Sequence, residues 1–98
     1  MSRCEFTPDA RVDLQQIHDF IAQNSPRNAL RFVDRLEDQC HRLADHPYLG
    51  VARPEFGSTH RSFTVPRTRY IIIYSPIDDG VEILHVSQGS QDLQRFFE

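Results

Sequence analysis

The stretch RSFTVPRTRYIIIYSP, residues 61–76, decides the fold. RSFTV alternates, with Phe63 and Val65 on one side, which is the period-two pattern of a strand with one buried face. RYIIIYS, residues 69–75, is continuously apolar and β-branched, as a strand buried on both faces must be. Pro66 with Arg67-Thr68 lies between the two and supplies a turn. Downstream, VEILHVS (81–87) is β-rich again, and Asp78-Asp79-Gly80 before it predicts a hairpin, because Asp and Gly tolerate the positive φ such turns require. The centre of the molecule is therefore an antiparallel sheet.

Upstream the period changes. CEFT (4–7) reads as a short strand, and Thr7-Pro8 is an N-cap followed by a proline at the first helical position. Ala10, Leu14, Ile17 and Ile21 then recur at spacings of four, three and four, which predicts an amphipathic helix to about Gln23. Asn24-Ser25-Pro26 repeats the start signal. Ala29, Phe32, Val33, Leu36, Cys40, Leu43 and Ala44 keep helical period until His46-Pro47, with Gly50 beyond. Helices joined by so few residues pack as an antiparallel hairpin. VARPEFGSTH (51–60) reads as a loop, and SQDLQRFFE closes the chain as a short helix with Leu93, Phe96 and Phe97 on one side.

These elements describe one α+β domain over residues 1–98: an N-terminal strand, an antiparallel helical hairpin packed on a mostly antiparallel sheet, and a short C-terminal helix. A covering problem follows. Along 70–74, Ile71 and Ile73 point one way and Tyr70, Ile72 and Tyr74 the other; along 81–86, Val81 and Ile83 oppose Leu84 and Val86. Both faces are apolar, and one helical hairpin covers only one. The other is predicted to be covered by the C-terminal helix, a protein partner, or both, through Tyr70, Ile72, Tyr74, Leu84, Val86, Leu93, Phe96 and Phe97.

Composition narrows the chemistry. The chain is 98 residues long, 39% hydrophobic and 26% charged, with a net charge of -3, fitting one globular core. All eleven basic residues are Arg, so a nucleophile or base built on a lysine is excluded. Four arginines (Arg53, Arg61, Arg67, Arg69) face one acid, Glu55, between residues 52 and 74, so this segment is basic while the rest is acidic. Cys4 and Cys40 lack any CxxC spacing, and no apolar run approaches the ~20 residues of a bilayer span. They read as reduced thiols of a cytoplasmic protein. His41 and His46 lie five apart, off a shared helix face, and His18 and His60 lack ligand partners in pattern, so neither a metal nor another cofactor is expected. Asp34, Glu37 and Asp38 alternate with Arg31, Arg35 and Arg42 as a solvated, ion-paired helix face.

Over residues 6–93 the chain resembles the RelE/ParE superfamily of toxin–antitoxin toxins, the ParE branch in particular. FTPDARVDLQQIHDFIA is similar to that family's opening strand and helix, and NSPRNALRFVDRLEDQCHRLADHPYLG to its second helix and the Pro-x-x-Gly that ends it. RPEF, RSFTVPRTRYIIIYSP and DDGVEILHVSQGSQDL resemble its arginine-led strand, its Arg-Tyr-apolar strand and its terminal strand. The resemblance implies a small growth-inhibiting toxin of a type II system, of the plasmid-stabilising kind, whose antitoxin wraps and neutralises it in a hetero-oligomer. It also implies two alternative activities, poisoning of DNA gyrase in the ParE manner or ribosome-dependent mRNA cleavage in the RelE manner.

RNA cleavage needs a base for the ribose 2′-hydroxyl, an acid for the leaving oxygen and cations for the phosphate. The family's terminal segment typically reads Arg-Val-Leu-His-Gly-Ala-Arg-Asp; here His85 stands at the leading Arg, and Gln88 and Gln91 replace the His and second Arg. Glutamine hydrogen-bonds but exchanges no proton near neutral pH. His85 is the remaining proton-transfer candidate, and a ribonuclease would use Arg61, Arg69 and His85. The favoured reading has no catalytic residue. Arg61, Arg67, Arg69 and His85 instead meet a protein target, gyrase, and the acidic remainder of the chain disfavours tight binding to nucleic acid. A member that keeps only antitoxin binding is the third alternative.

Overall fold

The computed structural model describes residues 2–89. The order is β1 (Arg3–Phe6), α1 (Pro8–Ala22), α2 (Pro26–Asp45), β2 (Val51–Ala52), β3 (Arg61–Thr64), β4 (Tyr70–Ile77) and β5 (Gly80–Gln88). The predicted C-terminal helix, with Leu93, Phe96 and Phe97, lies outside the described residues. Both helices start as their sequences dictate. The Thr7 hydroxyl accepts from the Ala10 amide at 3.1 Å, the Ser25 hydroxyl accepts from the Asn28 amide at 3.3 Å, and a proline follows each cap.

The five strands form one sheet in the order β1-β5-β4-β3-β2. β1 runs parallel to β5 and every other neighbouring pair is antiparallel. The helical hairpin crosses from one edge strand to the other side of the sheet and covers one face. The core joins Ala10, Leu14 and Ile17 of α1, Leu36, Cys40, Leu43 and Ala44 of α2, and Val65, Ile72, Tyr74, Val81, Ile83 and Val86 of the sheet region. Each of the large aliphatic members buried there contributes about 1.5–3 kcal/mol of transfer free energy.

Three sequence expectations are corrected. VARPEFGSTH is not all loop: Val51 and Ala52 pair with Ser62 and Arg61 as an edge strand too short to leave a periodic signal. The Asp78-Asp79 hairpin uses no left-handed residue, since Arg67 and Gly89 alone have positive φ among the described residues. Gly80 is required for space instead, because a Cβ there would lie 1.7 Å from the Arg3 carbonyl oxygen.

The third correction concerns faces. Tyr70, Ile72 and Tyr74 lie on the helix-covered side, Ile72 and Tyr74 fully buried and the Tyr70 ring 5.3 Å from that of Phe32 on α2. Burial there pushes the Tyr70 hydroxyl above its ordinary pKa. Val86 joins Val81 and Ile83 in the core because β5 carries an extra residue: Ile73 pairs with His85 while Tyr74 pairs with Ile83. This bulge at Leu84 resets the alternation. Ile72, Tyr74 and Val86 therefore present nothing to a partner.

Candidate functional site

On the far face of the sheet, Ile73, Leu84 and His85 line a hollow of about 180 Å³ with Thr7 and Asp9 from the start of α1 and Phe56 and His60 from the β2–β3 segment. The face that the helices leave open is thus partly covered by the chain itself. Ile73 is only 2% exposed, and a Thr59–Ser75 hydroxyl contact of 2.6 Å ties the covering segment to β4.

The position of His85 follows from the edge of β5. β1 ends its pairing at Ile83, so among the described residues the rest of β5 has no strand beside it on that side. The start of α1 supplies the missing partners. The Thr7 amide donates to the Ile83 carbonyl at 3.0 Å, the Thr7 hydroxyl donates to the Leu84 carbonyl at 3.0 Å, and the Val86 amide donates to Asp13 Oδ2 at 3.0 Å. The same Asp13 oxygen lies 3.4 Å from His85 Nδ1, which orients the imidazole. Asp13 is a part of this candidate site that sequence reasoning missed, since its partners are 72 and 73 residues away. His60 was likewise set aside. It contributes a ring nitrogen, Nδ1, that is buried without a hydrogen-bond partner among the described residues.

The arginines do not converge. Arg61 pairs across the sheet with Tyr74, on the helix-covered side, whereas His85 pairs with Ile73 on the other. Its guanidinium is committed to structure: Nε and Nη2 donate to the Gly50 carbonyl at 3.0 and 2.7 Å, Nη2 reaches the Tyr48 carbonyl at 3.3 Å, and the group stacks 5.2 Å from the Tyr48 ring centre. Arg69 precedes β4 and is exposed at the opposite end of the hairpin, about 17 Å along the strand from Tyr74. Arg67 is exposed in the β3–β4 turn with φ 63°, and Arg35 of α2 braces that turn by donating to the Pro66 carbonyl at 2.6 Å. The expected patch of Arg61, Arg67 and Arg69 is separated into a structural clamp and two solvated charges.

The two cysteines, far apart in sequence, are drawn to the same part of the core. Burial pushes the Cys4 thiol up to about 11, and the Cys40 thiol is pushed up further by the same cause, so neither is a reactive thiolate near neutral pH. Among the described residues no helix is long and apolar enough to cross a membrane.

Comparison with known proteins fits this architecture. The model of the ParE toxin family, described as the ParE toxin of the type II toxin–antitoxin system parDE, matches residues 4–93. The fold is similar to a solved chain of the chromosomal ParDE TA system from P. aeruginosa, with a TM-score of 0.76 and 23% identity, covering 92% of this chain and 98% of that one. No curated protein gives a significant match. The chain belongs to the ParE toxin family of type II toxin–antitoxin systems.

Proposed function

We propose that this toxin acts by binding and inhibiting DNA gyrase in the cytoplasm, without chemistry on a substrate, and that a cognate antitoxin neutralises it. Family membership supports the toxin role. The observation that favours binding over RNA cleavage is the separation of Arg61, Arg69 and His85. The hollow at His85 is lined by Thr7, Asp9, Phe56, His60, Ile73 and Leu84, with Asp13 behind the imidazole and no arginine on its walls among the described residues. A scissile phosphate there would face carboxylates instead of a cationic clamp.

A supercoiling assay with purified toxin and gyrase tests the proposal. Loss of supercoiling or accumulation of cleaved DNA is expected, and full gyrase activity at excess toxin sinks it. Transcript cleavage in a translating extract, abolished by His85→Ala, would establish the ribonuclease instead. Inertness in both assays with retained antitoxin affinity would identify a member that only binds antitoxin.

A further inference from the structure

Between α1 and α2 lies a hollow of about 290 Å³, lined by Arg11, Leu14, Gln15 and His18 of one helix and Val33 and Glu37 of the other. Arg11 and Gln15 are exposed, so it opens to solvent. Its two walls carry opposite charges. Arg11 lies against the Phe6 ring, 4.9 Å from its centre, and neither Arg11 nor Glu37 makes a side-chain ion pair or hydrogen bond among the described residues. Glu37 thus departs from the ion-paired helix face that its sequence neighbours suggest. The helices run antiparallel, so residues 11, 15 and 18 of α1 pass residues 37, 33 and 30 of α2 in turn. Leu30, one helical step beyond Val33, is 59% exposed and extends the apolar strip of that wall.

We propose that a second copy of this chain docks over the groove, with the two-fold axis running along it. Rotation about that axis sets α1 of one copy on α2 of the other, antiparallel as within the hairpin, and builds a layer of four helices. Each Arg11 then meets the partner's Glu37, while Gln15 and His18 lie against the partner's Val33 and Leu30. Self-complementarity selects the occupant. One wall supplies an unpaired cation and the other an unpaired anion at the same level, so an identical surface turned about the groove satisfies both at once. The two charge pairs set the register, and burial of Leu30 and Val33 supplies most of the affinity, since exposed ion pairs contribute little. The net charge of -3 on each copy opposes association only weakly at physiological salt, where charges more than ~8 Å apart are screened. The dimer is independent of which target the toxin acts on.

Sedimentation velocity of the purified toxin over a concentration series tests the proposal, and a dimer with a Kd on the order of 10 µM is expected. Arg11→Glu and Glu37→Arg each put two like-charged contacts into the dimer and are expected to weaken it about 10-fold or more. Mixing the two variants makes both contacts opposite again, so they should associate with each other at about the wild-type Kd. Leu30→Asp, on the apolar strip, is expected to weaken the dimer about 30-fold. Circular dichroism checks that each variant folds, and recovery in the mixture shows independently that neither charge reversal disrupts the groove. A wild-type chain that stays monomeric at about 1 mM overturns the proposal. A dimer indifferent to all three substitutions overturns it by placing the interface elsewhere. Folded single variants that lose dimerisation and fail to associate on mixing also overturn it, because the two charges then do not face each other across a two-fold axis.

Discussion

The Tyr74 hydroxyl donates to the Pro47 carbonyl at 2.8 Å and accepts from the Gly50 amide at 2.8 Å, so one side chain holds the exit of α2 against the centre of the sheet. Gly50 is glycine because a Cβ there would lie 2.7 Å from that hydroxyl and 2.6 Å from the Ser62 carbonyl oxygen. Tyr74→Phe leaves a buried amide and a carbonyl without partners, and urea titration should show a loss of about 1–3 kcal/mol. Unchanged stability would mean that water replaces the hydroxyl. Arg67 presents the opposite case. Its φ of 63° is a conformation glycine adopts freely and arginine does not, while its side chain is exposed. Arg67→Gly should therefore stabilise the fold by about 1 kcal/mol, and destabilisation would show that the guanidinium makes contacts of consequence. Sequence reasoning treated both residues as surface chemistry. Their geometry makes Tyr74 a brace and Arg67 a strained turn residue.

The element whose behaviour departs furthest from its pattern is β5. Simple alternation puts Val81 and Ile83 opposite Leu84 and Val86, but the extra residue at the bulge returns Val86 to the core and turns Leu84 and His85 to the far face. The unpaired half of the strand is then closed by α1. Asp13→Ala removes the acceptor of the Val86 amide and the support of His85, with an expected cost of about 1–3 kcal/mol. Hydrogen exchange at the Val86 amide should accelerate in that variant and be largely restored by Asp13→Asn, which keeps an acceptor oxygen. Equal exchange in all three proteins would show that the amide is protected by something other than Asp13.

At the scale of the whole molecule, helix and sheet meet over Cys40, which is fully buried between them. Its folded pKa lies above the ordinary 9.0 because burial disfavours the thiolate. Above pH 9 the unfolded chain releases the proton while the folded chain holds it. Stability is thus full below the unfolded value and falls as pH rises, by up to about 1.4 kcal/mol per pH unit from this group. Burial raises Cys4 and Tyr70 in the same direction. Denaturant titrations under reducing conditions between pH 8 and 10.5 should show the decline, less steep in Cys40→Ala. A curve as steep in that variant as in the wild type would assign the effect to other groups.

Local chemistry was sufficient for the two helices and the strands of residues 61–88, though not for the edge strand Val51–Ala52. Thr7-Pro8 and Ser25-Pro26 start the helices, their apolar stripes give the packed faces, and residues 61–88 declare a three-stranded antiparallel unit through period-two and continuous apolar runs. The ordered resemblance along nearly the whole chain also disclosed the family, which the match over residues 4–93 bears out. What the sequence by itself could not determine is which apolar face the helices take, because both faces are apolar and the choice depends on how a bulge shifts β5 against β4. The site was hidden for the same reason. Asp13 with His85, and Arg61 with the carbonyl of Gly50, are contacts between residues remote along the chain, and only the folded sheet sets the arginines apart on different ends and faces.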